Sequence, residues 1–373
     1  MDALMLPLNW QRVRLGDIGK PCMCKRVMKH QTTRYGEIPF YKIGTFGNTA
    51  DAFISKKLFL EYRTKYSFPK KGDILISASG TIGRAVIYDG KPAYFQDSNI
   101  VWIDNDETLV KNDFLFYAYS NVKWNTEHTT ILRLYNDNFR NTLISLPPLN
   151  EQSAIANILS GLNRYLCALD ALILKKEGVK KALSFELLSQ RKRLKGFNQA
   201  WQRVRLGDIA NYLTSNLSVE QITQQGKIKV YDVNNFIGYT DTTFISDKPY
   251  ISIVKNGSVG RVRILPPKTN ILSTMGALIA NHRTTTEFLF YLLSNFDFKN
   301  FTSGSIIPHI YFKDYKEKTI FLPPLNEQSA IANILSALDN EITSLKNKKR
   351  QFENIKKALN HDLMSAKIRV LEK

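Results

Sequence analysis

Between Asn150 and about Arg193 the chain carries no proline, and apolar residues fall at Ile155, Ile158, Leu162, Leu169, Leu172, Val179, Leu183 and Leu187. That near-heptad spacing predicts one long amphipathic helix. The pattern returns at Ile331, Ile334, Leu338, Ile342, Leu345, Phe352, Ile355, Leu359 and Leu363, in a proline-free run that reaches the C-terminus. Each helix would span on the order of 60 Å at about 1.5 Å per residue. A helix of that length cannot bury its stripe alone, so the two stripes are expected to pack on each other as an antiparallel coiled coil. Pro147-Pro148 and Pro323-Pro324 stiffen the two starts, and Asn150 or Asn326 with the following Glu-Gln reads as an N-terminal cap. Lysine-rich stretches such as Lys346-Asn-Lys-Lys-Arg350 read as solvated outer faces.

The segments before each helix follow a different rhythm. Gly72-Asp-Ile-Leu-Ile-Ser77 and Arg84-Ala-Val-Ile-Tyr88 read as strands joined through turn residues Gly80 to Gly83. Ile251-Ser-Ile-Val254, Gly257 to Gly260 and Arg261-Val-Arg-Ile-Leu265 repeat that hairpin signature. Asp113-Phe-Leu-Phe-Tyr-Ala-Tyr119 and Glu287-Phe-Leu-Phe-Tyr-Leu-Leu293 read as short helices laid against a sheet. The predicted fold class is therefore α+β: two α/β domains separated by two long helices, with an internal pseudo-twofold repeat.

The repeat itself is the strongest signal. Trp10-Gln-Arg-Val-Arg-Leu-Gly-Asp-Ile18 recurs unchanged as Trp201 to Ile209, and Leu146-Pro-Pro-Leu-Asn-Glu-Gln-Ser-Ala-Ile-Ala-Asn-Ile-Leu-Ser160 recurs as Leu322 to Ser336. Between these blocks the two copies diverge, with only echoes such as Gly80-Thr-Ile-Gly-Arg84 beside Gly257-Ser-Val-Gly-Arg261. A near-identical frame around two divergent heads argues for two sites doing one kind of job on different targets.

Composition narrows the partner. Lys and Arg total 52 against 33 Asp and Glu, a net charge of +19, which gives the surface a field that attracts polyanions. Nucleic acid is the first candidate partner, and charge alone leaves RNA or an anionic membrane open; an RNA-binding protein or scaffold with duplicated arms is the alternative to a reader of double-stranded DNA. Cys22, Cys24 and Cys167 are too few for a disulfide framework and read as ordinary thiols in a reducing cytosol. No metal and no cofactor is expected. No stretch is long enough to cross a bilayer, and the N-terminus lacks a charged flank before an apolar run, so the chain is expected in the cytoplasm and away from membranes.

On these residues the chain resembles the specificity subunits of type I restriction-modification systems. The carriers are the Leu-Gly-Asp-Ile opening of each copy, Gly72-Asp-Ile-Leu-Ile-Ser77 with Ser79-Gly-Thr-Ile-Gly83, and the Leu-Pro-Pro-Leu-x-Glu-Gln start of each long helix. The resemblance covers essentially the whole chain and implies target-recognition domains at 1–145 and 197–321, with long helices at 146–196 and 322–373. It implies that the domains read the two halves of a split DNA site, and that the helices dock methyltransferase subunits in a complex that also holds restriction translocase-nuclease subunits. The first copy departs from the second where Glu127-His-Thr129 replaces the Ser303-Gly-Ser305 turn.

A catalytic reading finds no support in the motifs. No Gly-x-x-x-x-Gly-Lys-Ser/Thr cradle, methyl-donor turn or Asn-Pro-Pro-aromatic run occurs, and His30, His128, His282, His309 and His361 stand singly. The chain is thus expected to be a non-catalytic subunit. Base reading requires donors and acceptors on loops that reach groove edges, with Lys and Arg nearby for phosphates. The candidates are Lys42, Ser79, Thr81, Arg84, Gln96, Asn99 and Arg133 in the first domain. In the second they are Asn256, Ser258, Arg261, Arg263, Thr274 and His309, with His309 standing where Arg133 stands in the first copy.

Overall fold

The computed structural model describes residues 7, 9–128 and 132–370. The chain divides into two compact units, one formed by Met1–Ala168 with Lys349–Lys373 and the other by Leu169–Lys348. Each unit holds one head and a segment of both long helices.

In the first unit a four-stranded antiparallel sheet runs in the order Gly19–Met23, Ile100–Asn105, Ile74–Ser77, Ala85–Ile87. Beside it lies a three-stranded sheet, Ala52–Ile54, Ile38–Tyr41, Tyr94–Phe95, whose last pair is parallel. The second unit repeats both orders: Ala210–Thr214, Met275–Ala280, Tyr250–Val254, Val262–Leu265, and then Phe236–Thr240, Ile228–Tyr231, Thr269–Ile271. Ile74–Ser77 and Tyr250–Val254 are buried along their whole length, as near-continuous apolar strands covered on both faces should be. The covering elements include the helices Asn112–Ala118 and Thr286–Ser294; the second is capped by Thr285, whose hydroxyl accepts from Phe288 N at 3.2 Å. The hairpins and short helices thus form where the sequence pattern puts them.

Each head closes on its own ends. Gln11–Arg14 pairs antiparallel with Leu143–Leu146, and Gln202–Arg205 pairs antiparallel with Thr319–Leu322. The first strand of each pair lies in the repeated Trp10–Ile18 or Trp201–Ile209 block, and the closing strand ends on the Leu that opens the other block, Leu146 or Leu322, so the start and finish of a head meet at the edge of the invariant frame.

The long helices are Leu149–Leu188 and Leu325–Met364. Within the second unit Lys176 pairs with Glu341 at 2.8 Å, Lys180 with Asp339 at 2.5 Å and Lys346 with Glu177 at 2.6 Å, so numbers fall on one helix as they rise on the other. In the first unit the rings of Tyr165 and Phe352 meet at 4.7 Å in the same antiparallel sense.

Three expectations need correction. The first helix ends at Leu188, short of Arg193, and the second ends at Met364, short of the C-terminus. In both, the residue two further on, Gln190 or Ala366, takes a positive φ that ends the helix and turns the chain back. Asn150 and Asn326 stand second in their helices; each side chain accepts from the next backbone N–H at 2.9 Å, so neither occupies the capping position. Finally, Ile158, Leu172, Val179 and Ile355 are exposed, while Leu159, Ile173 and Leu335 take buried positions. A helix whose two ends are buried in head cores, Ile155 and Leu159 in the first unit's and Leu187 in the second's, changes its buried face along its length, which a single heptad frame does not describe.

The inward-facing Glu of each Leu-Pro-Pro-Leu-Asn-Glu-Gln block has its own task. Glu151 accepts from the Trp10 indole at 3.2 Å and from the Arg369 guanidinium at 2.7 and 3.0 Å. Glu327 repeats this with Trp201 at 3.0 Å and Arg193 at 3.2 and 2.6 Å. Both carboxylates are buried, and the paired fork supplies the charge and hydrogen bonds that make such burial tolerable. The neighbouring Gln152 and Gln328 bind backbone of the head on one side and Pro147 or Pro323 O on the other. Helix start, head and the segment that follows the end of the opposite helix are thereby tied at one point within each unit.

Candidate nucleic-acid interface

The glycine turn of each head is a closed hydrogen-bonded loop. In the first, Ser77 N donates to Arg84 O at 3.0 Å and Gly83 N to Ser77 O at 2.9 Å. In the second, Val254 N donates to Arg261 O and Gly260 N to Val254 O, both at 3.0 Å. All four turn glycines sit at φ between 66° and 82°, the left-handed region that favours glycine. Gly83 and Gly260 have a second constraint, since each lies on an aromatic ring, Trp124 or Phe298.

Two further segments are stitched to each turn. Ala78 N donates to Asn99 O at 2.7 Å, Gly80 N to Leu132 O at 3.1 Å and Leu134 N to Ala78 O at 2.9 Å. The second head makes the same three bonds: Lys255 N to Thr274 O at 3.0 Å, Gly257 N to Pro308 O at 2.8 Å and Ile310 N to Lys255 O at 2.9 Å. Ser79 bridges to Arg133 and Asn256 to His309. Asn99 and Thr274 therefore occupy one structural position, as do Ser79 and Asn256, and Arg133 and His309.

The structure brings most of the candidates of the first head together. Lys42, Gln96, Asn99 and Arg133 line a cavity of about 530 Å³, and the buried Ser79 donates to Asn99 Oδ1 at 2.6 Å. Within it Lys42 is paired with Asp51 at 2.8 Å, and Gln96 accepts from Ile43 N at 2.9 Å. Thr81 is exposed in the turn, where its carbonyl accepts from Ser77 Oγ. Arg84 leans outward toward Gly47 O and Asn48 Oδ1, at 3.5 and 3.4 Å.

In the second head Asn256, Ser258, Arg261 and Thr274 are exposed on the turn and its neighbour, and the His309 ring lies 5.1 Å from that of Tyr311. Arg263 is not part of this group. Its guanidinium lies 5.2 Å over the Tyr231 ring and donates to Asn234 O at 3.0 Å, across the smaller sheet. Lys255 is half-buried beside the turn, and burial lowers its pKa from the ordinary lysine value.

Sequence reasoning missed Arg26 and Lys29, which line the first head's cavity. It also missed Ile306 and Ile307 at the tip beyond His309. A basic cluster at Lys25-Arg26 was visible in the sequence, whereas nothing local marked the isoleucines. Residues Thr129 to Ile131, which include part of the first copy's departure from the second, lie outside the described residues.

Cys24 is buried, which pushes its thiol up to about 12, and burial raises Cys22 as well, so neither is a thiolate at neutral pH. No cluster of metal-ligating side chains occurs among the described residues, and none of their helices is long and apolar enough to cross a membrane.

One scaffold repeated twice, with basic and amide side chains on matching loops that differ between copies, defines a class of duplicated polyanion-reading proteins. The sequence profile of the type I restriction modification DNA specificity domain matches residues 7–176 and 198–354. The chain belongs to that family, and its role is DNA sequence specificity in a type I restriction-modification system. It is 25% identical over 414 residues to the type I restriction enzyme MjaVIII specificity subunit of Methanocaldococcus jannaschii, covering 99% of this chain and 95% of that protein. A Haemophilus influenzae protein provisionally named as a type I restriction enzyme specificity subunit is 64% identical over 148 residues, which span only 39% of this chain and 38% of that protein. The crystal structure of a type I restriction-modification S subunit from M. genitalium aligns over 97% of each chain with a TM-score of 0.64 at 20% identity, a likeness of fold.

Proposed function

We propose that each head reads one half of a bipartite, asymmetric site in double-stranded DNA. The observation that carries this is the one-to-one correspondence of the two loop clusters, with Ser79, Asn99 and Arg133 in one head answered by Asn256, Thr274 and His309 in the other. Identical hydrogen-bonded scaffolds carrying different donors and acceptors read different bases. Lys42, Arg84 and Arg261 would hold phosphates around them.

On this reading the chain supplies the address and has no catalytic step of its own. Methyltransferase subunits and restriction translocase-nuclease subunits supply the chemistry, in the cytoplasm and without a membrane or a cofactor bound to this chain. The long helices carry exposed apolar side chains suited to docking such subunits: Leu172, Leu174, Val179 and Phe185 on the first, with Leu174 69% exposed.

The test is to replace residues 206–318 by the same segment of another family member, keeping the closing strands Gln202–Arg205 and Thr319–Leu322 intact. Methylated positions are then mapped with the methyltransferase partner present. One half-site should change and the other stay; a change in both halves would overturn the proposal.

A further inference from the structure

Ile306 is 91% exposed and Ile307 62% exposed, side by side at the tip of the loop between strands Thr302–Ser303 and His309–Ile310. Isolated exposed apolar residues are ordinary on protein surfaces. These two are adjacent, and the backbone holds them out. Gly304 sits at φ 93°, where an added Cβ would stand 2.3 Å from Ile307 O, so the loop closes tightly and only glycine fits at its bend. The base of the ribbon is tied to the glycine turn by Gly257 N to Pro308 O and Ile310 N to Lys255 O. The isoleucines are thus carried as a fixed part of the group that holds Asn256, Ser258 and His309.

We infer that Ile306 and Ile307 are specificity-determining contacts that read thymine through its C5-methyl group in the major groove. This rests on the proposal that the second head reads a half-site. A branched aliphatic chain has nothing to offer a phosphate, and the thymine methyl is the apolar feature that base pairs present in the major groove. The geometry favours that groove. A two-stranded ribbon stitched to a neighbouring turn matches the major groove, about 12 Å wide, and is too broad for the minor groove, about 6 Å wide.

The test uses the complex with its methyltransferase partner and duplexes carrying the mapped site. Each thymine of the second half-site is replaced in turn by deoxyuridine, which removes only the methyl group. Affinity should fall about fourfold at one or two positions, the worth of one buried methyl. Ile306→Ala and Ile307→Ala should bind thymine and uracil duplexes alike at those positions, with an unchanged melting temperature because both side chains are exposed. The inference is overturned if no uracil substitution matters, if the half-site contains no A·T pair, or if the alanine variants keep the methyl discrimination. Increased fluorescence of 2-aminopurine next to the site, without methyl dependence, would also overturn it in favour of an intercalating wedge. The head exchange separates the two ideas. If that exchange moves the half-site while uracil is silent, only the isoleucine role fails; if it leaves the half-site in place, the underlying reading fails.

Discussion

Gly257 and Gly260 lie three residues apart in one turn, at φ 82° and 78°, yet the space around them differs completely. Nothing stands within 4 Å of a Cβ added at Gly257, whereas at Gly260 it would meet the Phe298 ring at 2.5 Å. Gly257→Ala should therefore cost only the left-handed backbone penalty, about 1–2 kcal/mol. Gly260→Ala should add an overpacking cost of about 1–3 kcal/mol. Denaturant midpoints of the two variants check this, and equal losses would mean that Phe298 yields freely. The glycine spacing was legible in the sequence because a hairpin turn is a local object. The ring beneath was not, since Phe298 arrives from beyond the short helix. The match of His309 with Arg133 was legible from the repeat spacing. The direction of Arg263 was not, because Tyr231 and Asn234, which hold it, belong to the smaller sheet and the turn between two of its strands.

At the level of elements, the two long helices are held by unlike forces. Leu335 is fully buried where the second helix meets its head, so Leu335→Ala should destabilise the second unit by about 2–5 kcal/mol. Lys180 pairs with Asp339 where both side chains are only about one-third exposed, so Lys180→Ala should cost about 1 kcal/mol and lose only part of that cost at 1 M salt. Denaturant titrations at low and high salt distinguish the two. A larger, salt-sensitive loss at Lys180 would mean that the network through Asp339 to the Tyr291 hydroxyl, 2.9 Å away, counts for more than packing. The helices were legible because a 3.6-residue period over 40 residues is hard to mistake. Their buried faces were only partly legible, since the face changes along a helix whose two ends belong to different head cores. The role of Glu151 and Glu327 was hidden for a similar reason: their partners Arg369 and Arg193 come from the segment that follows the end of the opposite helix, and the local pattern suggested a cap instead.

For the whole molecule the governing quantity is charge. A net charge of +19 over the chain means that binding DNA releases condensed counterions, and the logarithm of affinity should fall linearly with the logarithm of salt concentration, by about 0.9 per phosphate neutralised. Arg84 and Arg261 occupy equivalent places at the end of the two glycine turns, are both exposed, and belong to different units. With no shared partner their effects should add. Arg84→Ala and Arg261→Ala should each flatten the salt slope by about 1 and weaken all duplexes alike, and the double variant should flatten it by about 2. Asn256→Ala should behave differently, because an amide that reads a base edge neutralises no phosphate. It should leave the slope unchanged and relax discrimination at a single base pair of one half-site. Affinities of the complex with the proposed methyltransferase partner, measured at four or five salt concentrations on the cognate site and on random duplex, check all three variants. A wild-type slope near zero would remove the electrostatic account. A double variant no flatter than either single one would mean that the two heads do not engage phosphates independently.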